Sequence, residues 1–175
     1  IIAPLFVMVT TNLVNMHSGY NGLQSGLSLI MIIFLIIYAI LHEQTKTLIF
    51  IMPLFGALLA FFFYNRYPSV IFEGNCGSLA IGAGIGSYIV LLGNEIFGVI
   101  LLGPHIMNFF MYIYWRLRNY PIEKFGSVRS DETISVPNYL TLKWIPPYFF
   151  RLTERKSTHI MYLLSFISGI CALVV

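Results

Sequence analysis

Apolar runs dominate this chain and constrain its fold more than any other feature. Five stretches, Gly22–Leu41, Thr47–Tyr64, Gly77–Gly93, Ile96–Trp115 and His159–Val175, are apolar with almost no charge, and Ile1–Val9 reads as the end of a sixth. Crossing a bilayer takes roughly 20 apolar residues. A helix that is apolar on every face needs lipid, or other such helices, around it. With 58% hydrophobic residues and only 10% charged, the 175-residue chain has too little polar surface to enclose these segments in one soluble core. The expected fold is therefore all-α, a polytopic transmembrane helical bundle of about five complete spans plus the end of a sixth. The chain opens on Ile within an apolar run and has no basic leader, so it reads as the C-terminal part of a longer protein rather than as one starting with a signal peptide.

Charge orients the bundle. Eight of the ten Lys and Arg residues fall between Arg116 and Lys156, and loops rich in basic residues stay in the cytoplasm. Residues 116–156 are thus expected to form a long basic cytoplasmic loop before the last span. Counting spans backwards puts two further polar inserts, Asn12–Gln24 and Asn65–Asn75, on the same face, and Arg66 agrees with that. Lys46 is the lone exception, balanced by Glu43. Aromatic residues around Pro146-Pro147, flanked by Lys143 and Arg151, suit the membrane interface.

Other residues invite simpler readings. Gly82 and Gly86 form a small-xxx-small face for close helix approach. His105 and Asn108 interrupt an apolar run after Pro104, where they either carry function or satisfy carbonyls freed by a kink. Cys76 and Cys171 lie far apart in sequence and expected depth, so neither a disulfide nor a zinc pair is expected. A formal charge of only +3 does not point to nucleic acid as a partner, and none is expected. The single aspartate, Asp131, and the absence of a nucleophile–base arrangement argue against hydrolysis by a side-chain nucleophile. The inserts instead offer neutral amides and glycines at a membrane face. There backbone groups approach phosphates closely, and amide oxygens read a base or bind a hard cation.

The run Asn12-Leu13-Val14-Asn15-Met16-His17-Ser18-Gly19-Tyr20-Asn21-Gly22-Leu23-Gln24-Ser25-Gly26 resembles the N-x-x-N-[IM]-x-[AS]-G-x-N-G-L-[EQ]-x-G signature of the polyprenyl-phosphate N-acetylhexosamine-1-phosphate transferases, in particular their archaeal and eukaryotic dolichyl-phosphate branch. Asn65–Leu79 is similar to that family's N-x-Y-P-[SA]-x-[VI]-F-x-G-D-[TC]-G-[ST]-L, and Gly103–Phe109 and Leu152–Arg155 look like its later landmarks. The resemblance implies an integral-membrane enzyme of the plasma or endoplasmic reticulum membrane. It would transfer N-acetylglucosamine 1-phosphate from UDP-N-acetylglucosamine to a polyprenyl or dolichyl phosphate at the cytoplasmic face, with Mg2+ as cofactor. It places Asn15 and Asn75 on metal-ligand positions, Asn21 and Phe72 on nucleotide-binding positions, and Lys124 and Arg129 in the loop that closes over sugar and pyrophosphate. Residues 1–175 would then be the C-terminal part of one transferase domain, with a homodimer as a further possible state.

Two departures stand out. The family pattern has aspartate where this chain has Asn75, which removes one negative charge from a cation site. The family's adjacent aspartate pair belongs to an earlier loop that nothing before Asn12 supplies, so this stretch alone is expected to be catalytically incomplete. A transporter or channel subunit, with His105 lining a pathway, and a non-catalytic membrane scaffold remain as other classes.

Overall fold

The computed structural model describes residues 2–118 and 126–175. Helices α1 (Ile2–Met16), α2 (Leu23–Leu41), α3 (Leu48–Asn65), α4 (Gly74–Leu92), α5 (Glu95–Leu101) and α6 (Gly103–Leu117) are followed by a two-stranded hairpin, β1 (Ser127–Val128) and β2 (Ile134–Ser135). A short helix, α7 (Ile145–Phe149), then leads into α8 (Glu154–Leu173). Four helical stretches are long and apolar enough to cross a membrane, or five if the bent pair α5–α6 counts as one. The protein is an all-α polytopic membrane protein.

Helix α2 forms the axis of the bundle. Of its apolar window 72% is buried against protein, against 11% for the stretch Thr45–Asn65. The core gathers Met31, Ile32, Phe34 and Leu35 of α2 with Ile85 and Ile89 of α4 and Phe97 and Leu101 of α5. Side chains such as Ile49, Phe50 and Phe63 on α3 and Leu163, Phe166 and Ile170 on α8 stay exposed, as befits surfaces solvated by acyl chains. Gly82 and Gly86 do serve helix packing. A Cβ on Gly82 would lie 2.7 Å from the Cα of Thr11, and one on Gly86 would lie 3.2 Å from the Cα of Val7, so α1 crosses α4 backbone against backbone.

Three boundaries differ from expectation. Helix α1 runs through Thr10–Met16, because Thr11 Oγ1 and Asn12 Nδ2 donate back to the carbonyls of Val7 and Met8 at 2.6 and 2.8 Å and so stay within the helix. Ile96–Trp115 is two helices, α5 and α6, meeting at 65°; Pro104 occupies the first turn of α6, where its missing N–H costs nothing. The last helix begins at Glu154 rather than His159, capped by the Thr153 hydroxyl accepting from the Lys156 N–H.

Candidate functional site

Loop chemistry places the site at one end of the bundle, where α1 and α3 finish and α2, α4 and α8 begin. Between α1 and α2 the chain reverses within a few residues, with Gly19 and Gly22 in left-handed conformations at φ +101° and +69°. At Gly22 a side chain is excluded twice over: by the backbone angle, and by the Cα of Arg66 3.0 Å from where a Cβ would stand. Tyr162 on α8 donates its hydroxyl to the Gly22 carbonyl at 2.6 Å.

The loop from α3 to α4 is braced from within. Asn65 is buried, accepts from the Ser25 hydroxyl at 2.6 Å and donates to the Ile71 carbonyl at 2.9 Å. That loop then meets the first one at Asn21, whose Oδ1 accepts from the Ser69 N–H at 2.9 Å. From the other side Glu154, the first residue of α8, accepts at 2.5 Å from both the backbone N–H and the Nδ2 of Asn21. Asn21 therefore joins three segments that are distant in sequence.

Ser78, one turn into α4, ties Asn15 to the start of α4, where Asn75 stands. The Ser78 hydroxyl hydrogen-bonds the Asn15 Oδ1 and lies 2.9 Å from the backbone carbonyl of Asn75. The side chain of Asn75 is exposed. Phe72 is 64% exposed, so its ring has an open face. Glu73 turns inward: one carboxylate oxygen is buried without a partner, and burial pushes the carboxyl pKa up, opposed by its own backbone N–H and by Asn65.

The basic loop also reaches this end. Asn108 on α6 donates to the Met16 carbonyl at 3.3 Å and accepts from the Leu142 N–H at 3.0 Å, pinning the loop to the end of α1. Lys143 points inward, donating to the Ser18 carbonyl with its ammonium 5.1 Å from the centre of the Tyr20 ring. Burial lowers its pKa to about 8, offset in part by Glu154. The hairpin folds over Gly19 and Tyr20, enclosing with Lys143 and Glu154 a cleft of about 110 Å³. Arg129, at the hairpin turn, spends its guanidinium on that hairpin, donating to Thr133 Oγ1, the Ile134 carbonyl and Ser135 Oγ at 3.2–3.4 Å. It is exposed and braces the hairpin, rather than entering the cleft. Lys124 lies outside the described residues.

His105, expected in mid-span, stands just past the α5–α6 bend against His17, with ring centroids 4.8 Å apart and both side chains fully buried. None of the four ring nitrogens has a hydrogen-bond partner. Burial, then His105 and Lys143, push His17 well below its usual pKa, so it is held neutral.

Among the described residues no three His, Cys, Asp or Glu side chains cluster as a metal site. Asn15 and Asn75 carry neutral amide oxygens, suited in kind to Mg2+, but Glu73, the carboxylate two residues before Asn75, faces inward. By donor chemistry the described residues fall short of a complete hard-cation site.

Comparison with known proteins decides the family. The profile of glycosyl transferase family 4 matches residues 1–93, more than half of the chain. The chain belongs to glycosyl transferase family 4. Phospho-N-acetylmuramoyl-pentapeptide-transferases are among its relatives: that of Carboxydothermus hydrogenoformans is 37% identical over 102 residues, 58% of this chain and 31% of the relative. The Moorella thermoacetica protein is 35% identical over 108 residues, covering 62% and 34%, and that of Bacillus cytotoxicus 37% over 108, covering 61% and 33%. The chain spans about a third of the length of the curated relatives it matches. The family match covers α1 to α4 and the loops between them, and so takes in Asn15, Asn21, Phe72 and Asn75. Ser78 and Asn65 were legible in the sequence only as part of a landmark, and Lys143 only as a flank of the interface aromatics, none of them with a role in the site. Glu154 was visible only as part of a landmark, since its link to Asn21 spans 133 residues.

Proposed function

We propose that the protein containing this chain transfers N-acetylglucosamine 1-phosphate from UDP-N-acetylglucosamine to a polyprenyl phosphate of the dolichyl type at the cytoplasmic face of its membrane. Family 4 membership supports a polyprenyl-phosphate sugar-1-phosphate transferase. The observation that carries the reading further is Asn21, locked between Glu154 and Ser69, the latter on the same loop as the exposed ring of Phe72. A rigid amide on one loop and a free aromatic ring on the loop bonded to it suit a base, the amide reading its edge and the ring stacking on it.

In the reaction an oxygen of the lipid phosphate attacks the sugar-bearing phosphorus of the nucleotide. A lipid–sugar diphosphate bond forms, the bond to UMP breaks, and UMP leaves. Little covalent chemistry falls to the protein, which must position the phosphates and offset their charge. Lys143, at the Ser18 carbonyl, brings a cation to the loop beside Asn21. Asn15, bonded to Ser78, and Asn75, at the start of the same helix α4 as Ser78, would contribute amide oxygens to Mg2+, which when bound would neutralise the pyrophosphate. The carboxylates of that site would come from elsewhere in the protein. Arg129 keeps a part in this proposal through the hairpin it stiffens, and Lys124 through the same loop.

The relatives' names favour a second reading, in which the transferred group is a phospho-N-acetylmuramoyl-pentapeptide. Membranes containing the protein should convert labelled UDP-N-acetylglucosamine and polyprenyl phosphate into UMP and a lipid-linked sugar. Turnover of UDP-N-acetylmuramoyl-pentapeptide alone would select the second reading, and turnover of neither would refute both.

A further inference from the structure

A second cavity, of about 580 Å³, opens at the same end of the bundle between the last turn of α3 and the first turns of α8. It shares Asn21 with the nucleotide cluster, but Asn15, Phe72 and Asn75 do not line it. Its size falls within the usual range for small-molecule sites.

The lining is strongly one-sided in charge. Arg66, Arg155 and His159 face it, and among the described residues no carboxylate lines it. Glu154, next to Arg155 in sequence, is committed to Asn21 by both of its short bonds. Arg155 and His159 stand four residues apart on α8 and so share one helix face. The Arg66 guanidinium lies 5.4 Å from the centre of the Phe63 ring, which orients it without neutralising it. Below the cations the wall is aromatic, formed by Phe62, Phe63 and Tyr162. Phe63 is 60% exposed on α3, the helix that is least covered by protein. Cations at a membrane face above apolar rings match an amphipathic ligand with an anionic head.

We propose that this cavity is a phosphate-binding site, taking a phosphate ester between the Arg66 and Arg155 guanidiniums with His159 as a third donor. Planar guanidiniums bind phosphate oxygens in pairs, and basic residues at the ends of spans are where anionic lipid headgroups are held. The same chemistry serves a lipid phosphodiester, whose chains would run down the Phe62–Phe63 surface, and a soluble phosphate.

The test compares wild type with Arg66→Gln/Arg155→Gln, both in phosphatidylcholine nanodiscs and in equimolar phosphatidylcholine–phosphatidylglycerol nanodiscs. Thermal unfolding and lipid retention in native mass spectrometry are the readouts, with inorganic phosphate as a separate titrant. Phosphatidylglycerol retained over phosphatidylcholine in wild type, with the preference reduced on the order of tenfold in the variant, supports a lipid site. Stabilisation of wild type alone by inorganic phosphate, without a lipid preference, supports a soluble phosphate. If neither probe separates the two proteins, the proposal is overturned. Both arginines are exposed, and Arg155→Gln alone is read in the same way should the pair fail to fold. No readout depends on turnover, so failure here leaves the transferase reading intact.

Discussion

Removing the carboxylate of Glu154 should loosen the nucleotide site from a distance. Glu154 receives two hydrogen bonds at 2.5 Å from Asn21, one from the backbone and one from the side chain. Hydrogen bonds to a charged group contribute about 1.5–3 kcal/mol each when well buried, and both groups here are only part-buried, so water recovers some of the loss. Glu154 also sits in the first turn of α8, where a negative charge adds about 0.3–1 kcal/mol with the helix dipole. Glu154→Ala should therefore cost about 2 kcal/mol and free Asn21 on that side, leaving only the Ser69 N–H to hold it. Glu154→Gln keeps one carbonyl acceptor and should cost about half as much, still in the range of a single hydrogen bond. Unfolding midpoints in detergent and UDP affinity by calorimetry measure the two consequences. Wild type should exceed Glu154→Gln, which should exceed Glu154→Ala, in both, with UDP binding down about tenfold in the alanine variant. Unchanged UDP affinity in Glu154→Ala would refute the view that this carboxylate positions Asn21 for the base.

Phe72→Ala should weaken UDP-sugar binding by about 1–3 kcal/mol while sparing lipid phosphate, because the exposed ring offers a stacking face only to the base; equal losses for both substrates in membranes of known protein content would return Phe72 to a packing role. Asn75→Asp should steepen the Mg2+ dependence of turnover with little change in stability, since the side chains are nearly isosteric and Asn75 is exposed; identical titrations would remove position 75 from the cation site. Lys143 has a folded-state pKa of about 8, below its ordinary 10.5, so the unfolded chain binds more protons between those values and Lys143's contribution makes stability rise with pH across that window. Over the same rise the site loses a cation, so UDP affinity should fall as pH passes about 8, and Lys143→Arg, which stays charged, should flatten the profile; a flat wild-type profile would count against Lys143 facing phosphate. Gly82→Ala would put a Cβ 2.7 Å from the Cα of Thr11, and should lower stability by about 1–3 kcal/mol through overpacking, read as a drop in unfolding midpoint that Gly56→Ala, where nothing lies within 4 Å, does not show.

Apolar length and charge bias were enough to read the spans from sequence, because crossing a bilayer is a one-dimensional requirement on successive residues. Local turn chemistry likewise marked Asn12–Gln24 and Asn65–Asn75 as polar inserts whose patterns carried the family resemblance, although residues 12–16 continue α1. What sequence alone left open depended on partners far along the chain. Glu154 holding Asn21, Ser78 bonding Asn15, and Lys143 reaching the Ser18 carbonyl have no periodicity, since each rests on one or two hydrogen bonds between separate elements. The bend that turns Ile96–Trp115 into α5 and α6 was equally hidden: Pro104 is compatible with a kink or with a fresh start, and the packing of His105 against His17 and of Asn108 on Met16 goes with the fresh start. Whether an asparagine caps a turn, completes a core or faces a ligand is set by which neighbours satisfy its amide, and only the tertiary structure supplies those neighbours.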